Sequence, residues 1–393
     1  MYAYRVRDYG NRVVSVVLLI LLSACQTLPE KASPGPDTAN TAGQVGAEIP
    51  ALKLDAHNTL AAILPALAKK RVVFVGETHD QYQHHQVQLA VIKGLYARHP
   101  DMAIGMEFFQ QPFQPVLDAY IAAEIDEQTL LEKTEYFDRW RFDYRLYQPI
   151  LQFARAHKIP LVALNLPKEI THKVGKSGLS VLTKEEMAQI PATLDRDMLA
   201  YRARIEAAYT AHPGSMKQDF EHFFEVQLLW DEGMAARAAK YLREHPAKNM
   251  VILAGVGHIE FGTGIPLRLQ RQLDVEMATI VQGDHVDILP NTADYVLYPK
   301  PEQLPKPGLI GVMLGPAPQG MAVEAFAENS AAREAGLLKD DQIVQLNDRK
   351  IHQFGDIRLA LWKRKPGEKV RVGILRNLPG KPAQRLNLEV ELR

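Results

Sequence analysis

Residues 71–85 read RVVFVGETHDQYQHH. The run Val72–Val75 has the unbroken hydrophobicity of a strand buried on both faces, and it then gives way to Gly76, Glu77 and His79. A strand that only fills a core has no use for a carboxylate and an imidazole at its tip, because unpaired charge is rarely buried. The same texture returns further on. MAIGMEFF (102–109) carries Glu107, IPLVALN (159–165) ends in Asn165, NMVILAGVGH (249–258) ends in His258, and VEMATIVQG (275–283) is a fifth apolar run. Between these lie stretches of helical periodicity. Residues 83–98 place His85, Leu89, Ile92 and Tyr96 on one face before Pro100; residues 147–158 and 216–244 are the others, the last closed by Pro246. Apolar strands alternating with helices predict an α/β fold, a mainly parallel sheet flanked by helices.

In open sheets of this kind ligands sit beyond the carboxyl ends of the strands. Those ends deliver Glu77, His79, Glu107, Asn165 and His258, with Gly76 read as the residue that permits a sharp exit. Two carboxylates and two imidazoles suit a divalent metal with an open position for water. They suit equally a metal-free acid/base pair in which a Glu activates water and a His protonates a leaving group. A lone polar residue at a strand end is most often solvated or capping; four together are harder to explain that way. His84 and His85 start a helix and are expected to face solvent and sheet. On the helix 216–244, Phe220, Phe223, Gln227, Trp230 and Met234 form a stripe with Asp231 beside it, and a Gln in an apolar stripe needs hydrogen bonds. Gln227 and Asp231 are therefore ligand-binding candidates, set against a core-facing helix whose polar pair bonds backbone. In YFDRWRFDYRLY (136–147), Trp140, Phe142, Tyr144 and Tyr147 suit either the wall of a flat ligand or plain packing on the sheet. GVGHIEFGTG lacks the G-x-G-x-x-G order of a dinucleotide fingerprint.

The 393 residues are 47% hydrophobic and 23% charged with a formal net charge of zero, a globular composition without the basic footprint that nucleic acid requires. Arg5, Arg7 and Arg12 precede the apolar run Val13–Leu22, which is short for a membrane span and typical of a signal-peptide core. LLSAC then places the only cysteine, Cys25, behind small residues. This resembles a bacterial lipobox and implies cleavage before Cys25, acylation of its sulfur, and a membrane partner reached through the lipid. Gln26 in the next position fits the outer membrane, with the chain facing the periplasm. Residues 1–25 are thus read as signal peptide with lipobox, and 26–50, rich in Pro, Gly, Ala and Thr, as a flexible tether. YPKPEQLPKPG (298–308) is a second break, implying few contacts across it. Beyond it the texture is β-rich, with short helices at 331–335 and 354–363.

Residues 51–300 resemble the ChaN family of haem-binding bacterial lipoproteins through VFVGETHD, IGMEFF, LYQPIL, IPLVALNLPKEI, QLLWDEGMA and LAGVGHIEFGTGIPLRL. That family is similar to the TIKI/TraB peptidases and erythromycin esterases, whose Gly–Glu–His loop, following Glu and late His correspond here to Gly76, Glu77, His79, Glu107 and His258. This chain places His79 two residues after Glu77, one closer than the esterase spacing. Residues 306–393 resemble a PDZ domain: GLIGVML matches the carboxylate-binding loop and SAAREAGLLKDDQIVQLNDRKI the helix-to-strand segment. Asp340 stands where a Gly is usual. The resemblance implies haem as ligand; on the residues themselves Tyr147 is a candidate among the tyrosines, and Glu77, His79, Glu107 and His258 leave a divalent metal open as a further cofactor. The resemblances imply peptide C-termini held by the backbone of Leu309, Ile310, Gly311 and Val312, and a homodimer as the assembly considered. A metal-dependent hydrolase that uses the PDZ to capture chain ends is the alternative, and a scaffold in which only the PDZ is active is the third.

Overall fold

The structure, a computed structural model, describes residues 58–211, 219–284, 287–377, 380 and 382–393, so the lipobox, Cys25 and the tether 26–50 lie outside the described residues. The described residues belong to one compact unit. Its first part runs α1 (Leu60–Leu67), β1 (Val72–Glu77), α2 (Tyr82–Tyr96), β2 (Met102–Gln110), α3 (Gln114–Ile121), α4 (Glu127–Lys133), α5 (Tyr136–Arg139), α6 (Tyr144–Ala156) and β3 (Leu161–Asn165). It continues with α7 (Lys168–Ser177), α8 (Lys184–Met187), α9 (Leu199–Ala211), α10 (Phe220–Glu244), β4 (Asn249–Gly255), α11 (Ile265–Gln272), β5 (Met277–Gln282) and β6 (Tyr295–Leu297). The strands form one sheet in the order β3-β2-β4-β1-β5-β6, and every pairing in it is parallel.

The unbroken apolar strands have a direct cause. Alternate side chains of a strand leave by opposite faces, and both faces here are covered. Val73 and Val75 pack into one core with α2 and α6, whereas Val72 and Phe74 pack into a second with α10 and α11. The helices start where the chain supplies acceptors for their free N–H groups: Asp143 accepts from Arg145 N at the head of α6, and Asp219 from Glu221 N and His222 N at the head of α10.

Some boundaries differ from those expected. The strand anticipated through His258 stops at Gly255, and His258 sits in a 3₁₀ turn, residues 256–258. The helix anticipated from residue 83 begins one residue earlier, and the short edge strand β6 carries no apolar run long enough to announce itself. Gly76 makes no sharp exit, since Glu77 still pairs within the sheet. Its lack of a side chain serves close approach instead: a Cβ there would lie 3.4 Å from both Ile280 O and Val256 Cα.

The second part is a sheet of β7 (Val312–Pro316), β8 (Met321–Phe326), β9 (Gln342–Leu346), β10 (Arg349–Lys350), β11 (Lys369–Arg376) and β12 (Gln384–Glu391), with α12 (Ala331–Glu334) and α13 (Phe354–Leu361). All its pairings are antiparallel and β7 is an edge strand. Asp340 adopts φ +69°, the left-handed conformation that a glycine takes without strain. The Pro-rich break does not isolate the two parts. Trp362 is buried in the core of the first part, edge-on to Tyr144 at 5.3 Å.

Candidate functional site

Strand parity builds the site in two halves. Glu77 leaves β1 on the face of Val73 and Val75, toward α2 and α6. Glu107 leaves β2 on the face of Ala103, toward α10, and each carboxylate finds imidazole on its own side.

On the first side Glu77 is 2% exposed. His79 Nδ1 lies 2.7 Å from its Oε1, His85 Nδ1 lies 2.7 Å from its Oε2, and the Tyr147 hydroxyl donates to Oε1 at 3.2 Å. His85 also has Nε2 3.1 Å from the His79 carbonyl and Nδ1 3.1 Å from Gln88 Oε1. Gln88 is oriented by its own Nε2 donating to Val75 O, so both nitrogens of His85 face acceptors, an arrangement that favours the protonated ring. Burial opposes that charge, but Glu77 outweighs it and raises the pKa of His85. Burial would likewise raise Glu77; the two imidazoles win and hold it below the usual carboxylate range. His85, expected to face solvent and sheet, is therefore part of the cluster. Its position eight residues after Glu77, at the head of the next helix, was the only available signal.

On the second side Glu107 accepts from Gly255 N at 2.6 Å and its Oε1 lies 3.4 Å from His258 Nε2. His258 Nδ1 lies 2.6 Å from Asp231 Oδ1, and the Tyr201 hydroxyl donates to the other oxygen of Asp231 at 2.7 Å. Both nitrogens of His258 thus face carboxylates. Burial works against its charge, yet Asp231 and Glu107 push its pKa up to about 10. Glu107 is correspondingly lowered, its burial outweighed by His258. Tyr201, delivered by α9, gave no sequence signal because nothing in the pattern of 199–211 ties it to a strand end.

His79 joins the halves. Its pKa is raised against burial by Glu77 and Glu107. Its ring lies against Gly255, where a Cβ would come within 2.9 Å of His79 Cε1. Trp140 packs edge-on to it at 4.8 Å and Phe142 at 4.9 Å. At 28% side-chain exposure it is the open member of a cluster whose carboxylates are buried.

The four strand-end residues thus lie together, and Asp231 joins them. Other candidates fall elsewhere. Asn165 is buried with its Oδ1 accepting from Leu166 N, and Gln227 is half-buried on α10. Tyr147 is fully buried beneath Glu77, accepts from Trp140 Nε1 at 3.1 Å, and has its pKa driven well above that of a free phenol by burial and by Glu77. It is a floor to the site and is not poised as a tyrosinate ligand. The metal reading is corrected as well: among the described residues no group of three or more His, Cys, Asp or Glu is arranged to hold a metal ion. The physical reason is that the carboxylates are spent on imidazoles, which take the place a cation would fill. In the second part Leu309 N is not available to a peptide, because it donates to Arg393 O at 2.8 Å. A surface cleft of about 570 Å³ lies elsewhere, between Thr59, Gln83, Val87 and Tyr298, and touches none of the strand-end residues.

A family model described as "Haem-binding uptake, Tiki superfamily, ChaN" matches residues 63–269, more than half of the chain. The chain belongs to the ChaN family. A PDZ domain model matches residues 308–392 of this ChaN-family protein. Among solved structures, the one titled "Cofacial heme binding to ChaN of Campylobacter jejuni" is 18% identical with a TM-score of 0.51, covering 62% of this chain and 92% of that one, and it shows a shared fold. The erythromycin esterase EreC in its open conformation is 15% identical with a TM-score of 0.35, covering 56% and 72%. A curated relative, Protein RETICULATA-RELATED 5, chloroplastic, from Arabidopsis thaliana, is 18% identical over 56% of this chain, which spans only 32% of that protein's length.

Proposed function

We propose that this chain binds haem at the carboxyl edge of its parallel sheet, in the service of iron acquisition. In this reading it is carried on the periplasmic side of the outer membrane by lipid on Cys25, with a PDZ groove that holds peptide C-termini. The observation that carries the haem reading is His79: an open imidazole between Trp140 and Phe142, with Nδ1 fixed by the buried Glu77. A metal-ligating histidine is usually held in this way through its other nitrogen by a carboxylate, so His79 would offer Nε2 to the iron. The aromatic rings supply a flat apolar wall for the macrocycle. When bound, haem brings the iron; the protein supplies orientation, the His79 tautomer and exclusion of water.

The hydrolase alternative is favoured less. A carboxylate that is to activate water must be free to take its proton, and Glu77 and Glu107 are buried and already held by imidazoles. Titrating the purified protein with haem and following the Soret band tests the proposal. The parent should saturate, and His79→Ala should lose at least tenfold in affinity, about 1.4 kcal/mol, with melting nearly unchanged. A parent that gives no saturable band, or a His79→Ala variant that titrates like it, would overturn the reading.

A further inference from the structure

The C-terminal domain meets the first part of the molecule at the elements that wall the site. Asp138, on α5, reaches across to the head of α13: its Oδ1 accepts from Gly355 N at 2.9 Å and its Oδ2 from Gln353 Nε2 at 2.9 Å. Gly355 has no room for a side chain, because a Cβ there would collide with the Asp138 carboxylate. Around this joint Arg349 grips Glu132 with both guanidinium nitrogens at 3.1 and 3.2 Å, Arg358 lies over the Phe137 ring, and Trp362 is buried against Tyr144. From α5 it is a single step to the site. Trp140, the residue that ends α5, packs on His79 and donates to Tyr147, which donates to Glu77. On the other side of the joint α13 lies in the domain whose edge strand β7 has an unpaired side. Met313 on β7 and, elsewhere in this domain, Leu309 and Phe354 are exposed apolar residues, and an edge strand is what an added peptide strand pairs with.

We propose that the peptide-binding domain and the strand-end site are energetically linked, with Asp138 as the positioning residue that ties the head of α13 to Trp140. Occupancy of one site then shifts the affinity of the other, reciprocally, as linkage requires. The use of the site for haem rests on the reading given above; the mechanical link does not. The mechanism is discrete. When Asp138 holds Gly355, α5 is fixed and Trp140 presses on His79. When that contact is lost, α5 is held less firmly and Trp140 presses less closely on His79, without any site residue having changed.

The decisive variant is Gly355→Ala in the full chain. Alanine is favoured over glycine within a helix by about 1 kcal/mol, so α13 itself is not weakened, and the atoms that the added methyl meets first are those of the Asp138 carboxylate. Hydrogen exchange of residues 136–147 should quicken at least threefold in Gly355→Ala and in Asp138→Ala. Asp138→Asn, which keeps an acceptor for Gly355 N but offers none to Gln353, should fall between. In the reverse direction Trp140→Ala should quicken exchange at residues 353–358. Haem affinity should fall about fivefold or more in Gly355→Ala, at the lower end of typical couplings. Unchanged exchange at 136–147 in both Gly355→Ala and Asp138→Ala overturns the link. So does altered exchange with parental haem affinity in a protein that binds haem. If the parent binds no haem, the functional reading falls on its own and the exchange measurements alone decide the link.

Discussion

His258 and His79 are both strand-end imidazoles, yet they predict opposite behaviour on substitution. His258 is buried between Asp231 and Glu107, and removing it leaves two carboxylates in the interior without their partner. Breaking a buried pair in this way costs about 3–5 kcal/mol, so His258→Gln should lower the urea midpoint markedly, whereas His79→Ala should not. The raised pKa of His258 also fixes a pH dependence. A group that binds its proton more tightly in the folded than in the unfolded state contributes stability that is complete below its unfolded value near 6.5. That contribution is lost as pH rises through about 10. Glu77 and Glu107, lowered on folding, act in the other sense: their contribution is complete above the ordinary carboxylate value and lost as pH falls below it. Urea melts at pH 4, 6.5 and 10 should be most stable in the middle, and His258→Gln should reduce the alkaline limb together with the part of the acid limb that Glu107 owes to His258. Equal midpoints at pH 6.5 and 10 in the parent would count against a charged His258.

At the scale of elements, α13 is the one whose role differs most from the expectation. A Pro-rich break suggests separable halves, but α13 packs on α4 and α5, and Trp362 closes over Tyr144. Removing residues 306–393 would expose Tyr144 and Phe137, which are at most 1% exposed in the intact chain. The truncated protein should therefore melt at lower denaturant than the full chain. Trp362→Ala should account for much of the loss, about 3–5 kcal/mol for a buried tryptophan. A truncated chain with the parental midpoint would show the interface to be idle. The strands and main helices were legible because burial on both faces demands continuous apolar runs. Helices α3 to α5 were not, since their short, mixed segments owe their conformation to what they pack against.

At the scale of the whole molecule, the proposed anchor precedes everything described. No helix among the described residues is long and apolar enough to cross a membrane; the proposed attachment is through lipid on Cys25. Cys25→Ser should move the protein from the outer-membrane fraction to the soluble one. A variant that still fractionates with the membrane would remove the lipid from the proposal while leaving the haem and peptide readings standing.

The parallel α/β sheet, the PDZ domain after the Pro-rich break, and the delivery of Glu77, His79, Glu107 and His258 at or just beyond strand ends were all legible along the chain. The sheet and the strand tips are written in local pattern, as apolar continuity, period and abrupt polarity, whereas the PDZ domain was legible as a resemblance. Only the tertiary structure decided what those residues do to one another. Strand parity sends Glu77 and Glu107 to opposite faces of the sheet, where α2 supplies His85 to one and α10 supplies Asp231 to the pair formed by the other with His258. No spacing along the chain encodes those encounters, because partners such as Asp231 and His258, 27 residues apart, meet through packing alone. The same holds for Tyr147, which pattern offered as a ligand and packing turned into a floor, and for Asp138, an unremarked acid until α13 was laid against it.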